Sequence, residues 1–276
     1  ATAFDVVAFD ISVERRELAS RHAGIEATDD LIKLASEAVI VVSLPNPAIS
    51  GSVLQQLAPH LRDGATVIET STVLPDDVRE WQRMLEPSGV RVIDAAVLSG
   101  VAQMEQGKAT LLVGGEDAVL ADVQPVLEAI GGAGVERFGA LGAGMAAKVV
   151  NNGVAHAVMV VLVEAFAMAR AEGVALTDIA KMLDREDGGL QRPLNHRIMQ
   201  RMAAGDFDGG MPLEAARKDS TLALAMAQRS GTPLFATQAA QTVYDIASGT
   251  GLGRKDYSAI AQLWEGWTDR GLAYGE

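Results

Sequence analysis

A lysine and an asparagine one helical turn apart are the residues of this chain best suited to chemistry. Lys148 and Asn152 are four residues apart, so on a helix they share one face. Their neighbours are small or apolar, and burial among such residues lowers the pKa of a lysine, as does proximity to a helix N-terminus. A lysine with a pKa near neutrality can accept a proton from a hydroxyl group and return it. The alternative is a lysine that extends into water, and this segment alone leaves both interpretations open.

The composition limits the classes of protein to which the chain can belong. It has 276 residues, of which 49% are hydrophobic, enough for one large or two ordinary domains. Its formal net charge of −13 argues against a nucleic-acid partner and against an anionic membrane surface. There is no cysteine, which excludes disulfides and is compatible with the cytoplasm, the localisation we expect. The 4 histidines are scattered along the chain, so we predict no metal site.

We expect neither a signal peptide nor a membrane span. The chain opens on Ala1 without a basic and apolar leader. The most apolar segment, residues 158–162, is flanked by His156 and Glu164, and we interpret it as part of a buried helix of a protein in solution. Such a helix should be covered on most faces, and a second subunit is one way to cover it. A homodimer or homotetramer is therefore expected.

The first half of the chain alternates apolar, strand-like runs with segments of helical periodicity. Strands are predicted in residues 4–9, 39–44, 65–69, 90–93 and 109–113. Helices are predicted between them, in residues 13–23, 47–57, 75–85 and 118–130. This alternation predicts an α/β domain with a largely parallel sheet covered on both faces.

The second half of the chain has only helical patterns. Helices are predicted in residues 144–171, 177–183, 193–203, 213–229, 233–247 and 257–267, and no strand is predicted after residue 140. The chain is therefore predicted to consist of an α/β domain in residues 1–140 and an all-α domain in residues 141–276. A long interdomain helix begins the second domain.

The α/β half is interpreted as a Rossmann-type dinucleotide-binding domain that is incomplete at its N-terminus. Asp10 ends the first predicted strand, where such domains place a carboxylate that binds the adenosine ribose. The G-x-G-x-x-G motif should lie roughly 20 residues earlier, so the first strand and the glycine loop are expected to be missing. Asp10 would repel a 2′-phosphate, which favours NAD, although the nearby Arg15, Arg16 and Arg21 do not exclude NADP. An ordinary aspartate in a turn is the alternative.

Six segments then occur in an order typical of one enzyme family. They are Leu-Pro-Asn at the end of residues 39–46, Ser-Thr-x-x-Pro within residues 69–75, the loop of residues 94–107, Gly-x-Gly-x-x-x-Lys-x-x-Asn-Asn in residues 142–152, Lys218-Asp219, and Asp256-Tyr-Ser-Ala259. Together they resemble the β-hydroxyacid dehydrogenases, which include 3-hydroxyisobutyrate dehydrogenase and 6-phosphogluconate dehydrogenase. The resemblance spans nearly the whole chain, and the lysine motif is its most specific part.

The resemblance implies hydride transfer between NAD and a small 3-hydroxy carboxylic acid, or the matching semialdehyde or keto acid. It implies that Lys148 is the general acid and base and that Asn152 binds the substrate. The substrate carboxylate would lie on the backbone of Ser99, Gly100 and Val101, and Arg192 would contact the variable end of the substrate. The residues implied to bind the cofactor, besides Asp10, are Leu44, Pro45, Asn46, Thr72, Gly142 and Lys218.

The substrate loop departs from the family pattern Asp-x-Pro-Val-Ser-Gly-Gly. Aligned from Asp94, the proline position holds Ala96, the serine position holds Leu98, and the two glycine positions hold Ser99 and Gly100. Backbone N–H groups could still bind a carboxylate here. Either Ser99 takes over the role of the displaced serine, or the substrate differs from 3-hydroxyisobutyrate.

Other functions remain open at this point. Reduction of glyoxylate, of succinic semialdehyde or of an imine would keep the fold and change the substrate. Imine reductases resemble this family but usually lack the lysine, so Lys148 favours hydroxy-acid chemistry. A non-catalytic module for dimerisation or cofactor sensing is the alternative outside enzymes, and the retention of Lys148, Asn152, Thr72 and Lys218 together argues against it.

Overall fold

The computed structural model describes residues 4–274 and divides the chain into two compact units. Unit 1 is Ala1–Val154 and unit 2 is Ala155–Glu276. The predicted boundary at residue 140 lies before the longest helix, whereas the two units divide inside that helix. Its first turns are part of unit 1 because Met145 and Ala147 pack against the core of that unit.

Unit 1 has the predicted α/β composition. Its strands are β1 (Val6–Phe9), β2 (Ile25–Thr28), β3 (Val39–Val42), β4 (Thr66–Glu69), β5 (Arg91–Leu98), β6 (Thr110–Gly114) and β7 (Gly134–Gly139). Its helices are α1 (Val13–Ala19), α2 (Pro47–Leu57), α3 (Pro75–Leu85), the five-residue α4 (Val101–Glu105), α5 (Asp117–Ile130) and the start of α6 (Ala143–Ala171). Short 3₁₀ helices cover Leu31–Ser36 and Glu86–Ser88.

The strands form two separate sheets rather than the one that the sequence predicts. β1 and β2 are a parallel pair, and β3-β4-β5-β6-β7 form a five-stranded sheet in that order. Every neighbouring pair of the larger sheet is parallel except β5 and β6, which are antiparallel. Only residues 99–109 connect these two strands, and a parallel connection needs about a dozen residues or more to cross the sheet.

Two of the seven strands of unit 1 were not predicted. β2 is a four-residue strand, and β7 contains Glu136, Arg137 and glycines at both ends. Both lie at the edge of a sheet, so part of each strand is exposed and polar residues are tolerated there. These two strands therefore lack the apolar run by which the other five were recognised.

The larger sheet has an apolar core on each face. Val67 of β4 packs with α2 and α3, and its neighbour Ile68 packs on the opposite face with α5, because successive side chains of a strand alternate. Both helices on the first face begin where the sequence predicts. The side chain of Asn46 accepts a hydrogen bond from the Ile49 N–H at the start of α2, and Pro75 is the first residue of α3.

Unit 2 is helical throughout its described residues, as predicted, apart from one isolated bridge between Pro212 and Asp256. Besides the rest of α6, it contains α7 (Leu176–Leu183), α8 (Leu213–Ser230), α9 (Phe235–Gly249) and α10 (Ala261–Thr268). Two predicted helices differ in type. Pro193–Met202 is a π-helix, and Tyr257–Ile260 is a 3₁₀ turn that precedes α10.

Helix α6 is less covered than the sequence predicts. By length and composition alone it could span a membrane, contrary to our expectation that no segment is long enough, and only 11% of its most apolar window is buried. One such helix is weak evidence for a span. Its exposed apolar side chains include Val150, Val154, Met159, Val161 and Val163. The expected burial is therefore not achieved within a single chain.

Glu164 explains why an acid interrupts this apolar helix. Its carboxylate accepts hydrogen bonds from the backbone N–H groups of Phe235, Ala236 and Thr237 and from the Thr237 hydroxyl. These N–H groups belong to the first turn of α9, and N–H groups in a first turn have no hydrogen-bond partner within their own helix. Burial acts to raise the pKa of Glu164, but the hydrogen bonds outweigh it and the pKa is lowered.

Replacement of Glu164 by alanine is expected to destabilise the protein by about 1–2 kcal/mol, the usual effect of losing a helix cap. Because the pKa of Glu164 is lowered on folding, its contribution is present above pH 4.5 and is lost as the pH falls through the lowered value. Urea unfolding at pH 7 measures the change. Glu172→Ala, at an exposed position just beyond α6, is the matched control. Equal stability of the two variants would contradict the assignment.

Candidate active site

The carboxylate of Asp94 holds the start of α6. Asp94 lies on β5 and is fully buried. Its Oδ1 accepts the Gly142 N–H at 2.6 Å and its Oδ2 accepts the Met145 N–H at 2.7 Å. Burial raises the pKa of Asp94, and these hydrogen bonds partly offset the rise. A carboxylate at a helix N-terminus is also favoured by the helix dipole.

Glycines allow this close approach of α6 to the sheet. A Cβ on Gly144 would lie 2.2 Å from the Leu112 carbonyl oxygen, and one on Gly114 would lie 2.6 Å from Asp94 Oδ1. Gly142 has a φ of +92°, which favours glycine. The two glycines of the lysine motif are therefore required by packing, and the Gly142 N–H, implied above to serve the cofactor, is bound to Asp94.

Lys148 lies in the second turn of α6 and is half-buried. Burial lowers its pKa. Among the described residues its ammonium group has no hydrogen-bond or ion-pair partner. Asn152, one turn later, is also half-buried, and its Oδ1 accepts a long hydrogen bond of 3.4 Å from Asn151. The structure thus gives the expected direction of the lysine pKa shift, and burial is its cause.

The predicted substrate loop follows β5. The Oγ of Ser99 is buried and has no hydrogen-bond partner in the described part of the chain. The Gly100 N–H is bound by the Gln103 side chain at 2.9 Å, whereas Val101, the first residue of α4, is exposed. Ser99 therefore has an unused hydroxyl, and one of the backbone groups expected to bind a carboxylate is engaged within the loop.

The loops after β3 and β4 hold four of the predicted cofactor residues. The Leu44 N–H donates to the Ser71 hydroxyl at 2.8 Å, and the Asn46 side chain caps α2. Pro45 follows Leu44, and Thr72 is exposed just after Ser71. Because β3 and β4 are parallel, these loops share the carboxyl edge of the sheet, where dinucleotides bind in open α/β folds.

Asp10 lies at the carboxyl end of β1, as predicted. Its Oδ1 accepts the Ser12 N–H at 2.8 Å, and within the described residues Oδ2 makes no hydrogen bond. The Arg16 guanidinium donates to the backbone carbonyls of Asp10 and Ile11 rather than to the carboxylate. An acceptor oxygen therefore remains available for a ribose hydroxyl, with a cation nearby.

The comparisons with known proteins cover both units. Residues 1–139 match the sequence model of the NAD binding domain of 6-phosphogluconate dehydrogenase. Residues 142–264 match that of the NAD-binding domain of NADP-dependent 3-hydroxyisobutyrate dehydrogenase. The chain is 30% identical over 261 residues to the mitochondrial 3-hydroxyisobutyrate dehydrogenase of Drosophila melanogaster, covering 92% of this chain and 80% of that protein.

The chain belongs to the β-hydroxyacid dehydrogenase family. It is also 29% identical over 275 residues to 2-(hydroxymethyl)glutarate dehydrogenase of Eubacterium barkeri, covering 98% of this chain and 90% of that protein. The fold is shared with the imine reductase of Myxococcus stipitatus, a variant solved with NAD⁺, with a TM-score of 0.84, 20% identity and coverage of 95% and 91%. As a member of the family, the chain is an NAD(P)-dependent oxidoreductase.

The family's second-domain residues lie in unit 2. Lys218, implied to reach the cofactor, has a side chain that is 67% exposed and forms an ion pair with Asp219 at 3.0 Å. Arg192 is exposed just before the π-helix. It lies close enough to Tyr257 to lower the pKa of that phenol, although burial dominates and raises it. These two roles stay predictions.

The closing motif of the family has a structural role in this chain. Asp256 is fully buried, and its Oδ1 accepts hydrogen bonds from the Ser258 N–H and hydroxyl. Its Oδ2 accepts the Met211 N–H and pairs with Arg197 at 3.3 Å and Arg201 at 3.8 Å. The pairing connects the π-helix to the 3₁₀ turn before α10.

Two residues important to the site were not singled out from the sequence, namely Asp94 and Glu69. Each was noted only as the first letter of a family segment. Both are acids that directly follow apolar residues of a buried strand, Glu69 at the end of β4 and Asp94 within β5, where an unpaired carboxylate is costly and a functional or capping partner is expected. An acid directly after an apolar strand segment was therefore the feature of the sequence that could have identified both residues.

The fit of Gly144 against β6 gives a paired test within one helix. Gly144→Ala is expected to destabilise the protein by about 2 kcal/mol or more, because its Cβ would overlap the Leu112 carbonyl oxygen. Gly153→Ala is the control, since no atom lies within 4 Å of its added Cβ, and it should stabilise α6 by about 0.5–1 kcal/mol. Chemical denaturation of both variants measures the difference. Effects of the same sign would contradict the packing described here.

Proposed function

We propose that this protein catalyses reversible hydride transfer between NAD and a small 3-hydroxy carboxylic acid, with Lys148 as the general acid and base. The observation that carries the proposal is the setting of Lys148. It is half-buried, its pKa is lowered, and within the described residues its amine is not engaged. Asn152 lies one turn away on the same helix, where it can bind the substrate oxygen or carboxylate.

The residues of unit 1 suit a dinucleotide and a short acid. The free Oδ2 of Asp10 can accept a ribose hydroxyl, and Thr72 with the Leu44–Asn46 loop borders the carboxyl edge of the sheet. The unpartnered hydroxyl of Ser99 can donate to a carboxylate. Bound NAD supplies the hydride acceptor at C4 of its nicotinamide, and NADH the donor.

Lys148 accepts the substrate proton in oxidation and donates it in reduction. In oxidation, the neutral amine accepts the hydroxyl proton while the hydride leaves the carbinol carbon, so a carbonyl forms. In reduction, the ammonium group returns the proton to the oxygen. Because burial lowers the pKa of Lys148, the neutral amine is available at lower pH than for an exposed lysine. Oxidation should therefore rise with pH, and reduction should fall.

We also propose a homodimer or homotetramer assembled through the exposed apolar side chains of α6. Its exposed residues include Val150, Val154, Met159 and Val163. So many exposed apolar side chains on one helix of a protein in solution are typical of an interface. The polar residues Lys148, Asn152 and Glu164 on the same helix favour this interpretation over a membrane span.

The function is tested by NADH formation against short 3-hydroxy acids, and by NADH consumption with glyoxylate, succinic semialdehyde and a cyclic imine. Wild-type protein should oxidise at least one hydroxy acid. Lys148→Ala should lower kcat by about 10²–10⁴-fold and leave the Kd for NADH nearly unchanged, because a general acid–base group acts on the transition state. Lys181→Ala, at an exposed position on α7, is the control.

A Lys148→Ala variant with near-wild-type kcat would contradict the proposed mechanism. Activity with the imine alone would indicate that the protein is an imine reductase rather than a hydroxy-acid dehydrogenase. Failure to bind NADH would favour a non-catalytic role.

Asp10 provides a separate test of cofactor choice. Asp10→Ser should lower the preference for NAD over NADP by about tenfold or more, or about 1.4 kcal/mol, because the carboxylate no longer binds the ribose or repels a 2′-phosphate. The ratio of kcat/KM for the two cofactors measures the change. Asp29→Ser is the control, since Asp29 is exposed near Arg16. An unchanged ratio in Asp10→Ser would refute the role of Asp10.

A further inference from the structure

Two buried carboxyl groups lie side by side on neighbouring strands of the larger sheet. Glu69 at the end of β4 is the register partner of Asp94 on β5, and both are fully buried. They lie on the same face of the sheet as Val67 and Val92, which pack against α2 and α3. The proposed mechanism uses neither group directly.

The two carboxyl groups are hydrogen-bonded very differently. Asp94 accepts backbone N–H groups on both of its oxygens. Glu69 accepts the Ser71 N–H at 2.7 Å on Oε1, whereas Oε2 has no hydrogen bond of normal geometry among the described residues. The Ser50 hydroxyl, on α2, is also buried and lacks such a bond, although it is near enough to act on the Glu69 carboxyl. Glu69 and Ser50 therefore form an unsatisfied pair.

Among the described residues, no basic side chain acts on the pKa of Glu69. Ser50 of α2 does, and the buried side chains that α3 and β3 contribute to the core on this face are apolar: Val78, Trp81 and Val42. The charged group that faces it is the carboxylate of Asp94 on β5. Burial raises the pKa of Glu69 to about 7, against the opposing effect of hydrogen bonds from Ser71 and Ser50.

Glu69 is connected to both loops that border the carboxyl edge of the sheet. It accepts the N–H of Ser71, and the Ser71 hydroxyl in turn accepts the N–H of Leu44. The chain of contacts from Glu69 through Ser71 to Leu44 ties the loop after β4 to the loop after β3. Thr72 and residues 44–46, the predicted neighbours of the cofactor, lie on these loops.

We propose that Glu69, in its protonated form, is the residue that positions these two loops against each other and so shapes the cofactor side of the site. The neutral acid accepts the Ser71 N–H on one oxygen and places no charge in the buried space beside Ser50 and Asp94, so the closed loops bury it at little cost. The ionised group is a buried charge with no cation, and it is hydrated only when the loops separate. The reference to the cofactor rests on the function proposed above.

The direction of the pH effect follows from linkage. In the closed arrangement the pKa of Glu69 is about 7, whereas in water a glutamate has a pKa near 4.5. Protonation therefore favours the closed arrangement, and the loops should loosen as the pH rises through about 7. One proton is involved, so the protection of the loop amides should fall by at most about tenfold per pH unit above the midpoint.

Amide hydrogen exchange of the protein without cofactor tests the positioning role. Protection of residues 43–46 and 70–73, corrected for the intrinsic pH dependence of exchange, is measured from pH 5.5 to 8.5. Wild-type protection should be high at pH 5.5 and fall through pH 7. In Glu69→Gln, whose amide copies the neutral acid, it should be high and constant. Glu69→Asp keeps an ionisable group, so its loop protection should still decrease as the pH rises.

Thermal unfolding distinguishes this role from a merely structural one. Glu69→Gln should raise the melting temperature at pH 8 relative to wild type and leave it nearly unchanged at pH 5.5. A variant that loses loop protection at all pH values, or a wild-type fall that persists in Glu69→Gln, would overturn the proposal. Should Glu69→Gln fail to fold, Ser50→Ala provides the test. Because the Ser50 hydroxyl lowers the pKa of Glu69, its loss should raise the pH at which loop protection is half lost. An unchanged midpoint pH would overturn the proposal.

Binding of NADH then connects the loops to the cofactor. Fluorescence titration at pH 6 and pH 8.5 should show weaker binding at the higher pH in wild type and a smaller difference in Glu69→Gln. Equal pH dependence in the two proteins would overturn the link to the cofactor. Absence of NADH binding in wild type would instead contradict the proposed function, and hydrogen exchange would still decide the role of Glu69.

Discussion

The capping of α6 by the buried carboxylate of Asp94 is the constraint on which the candidate site depends. A helix is free to rotate about its axis and to shift along it until something fixes its first turn. Here one side chain of a central strand binds two N–H groups at that turn, one on each carboxylate oxygen, so both freedoms are removed. The face on which Lys148 and Asn152 lie is then set by the sheet itself. The buried charge and the positive end of the helix stabilise each other.

Much of the fold could be predicted from the sequence because local signals and burial agree there. Helices α2 and α3 have a proline at their first turn and apolar residues at helical spacing, and their predicted bounds match the structure. Strand β3 is a continuous run of Val and Ile, and β4 has Val67 and Ile68 at its centre, so both were recognised. The edge strands β2 and β7 could not be found in this way, because one-sided burial leaves no apolar run to recognise. The reversal of β6 depends on the length of a connection rather than on residue types.

The site could be predicted in its residue types but not in its contacts. The lowered pKa of Lys148 follows from its apolar neighbours, which the sequence shows directly. The partners of Asp94 lie 48 and 51 residues later in the chain, and Ser50 reaches Glu69 from another element, so no spacing rule reveals these contacts. Asn46 and Gly142 illustrate a further limit. The resemblance implies that both residues bind the cofactor, which stays a prediction, and it does not reveal that the Asn46 side chain caps α2 and that the Gly142 N–H binds Asp94.

The antiparallel pairing of β5 with β6 has an evolutionary consequence. The connecting segment, residues 99–109, leaves and re-enters the sheet at the same edge, and hydrogen bonds between the two strands hold both of its ends. Its residues can therefore be exchanged during divergence without disturbing the register of the core, as is usual for loops on a rigid scaffold. A change of sequence confined to this return loop can therefore alter what the loop contacts while the start of the helix that carries Lys148 stays in place.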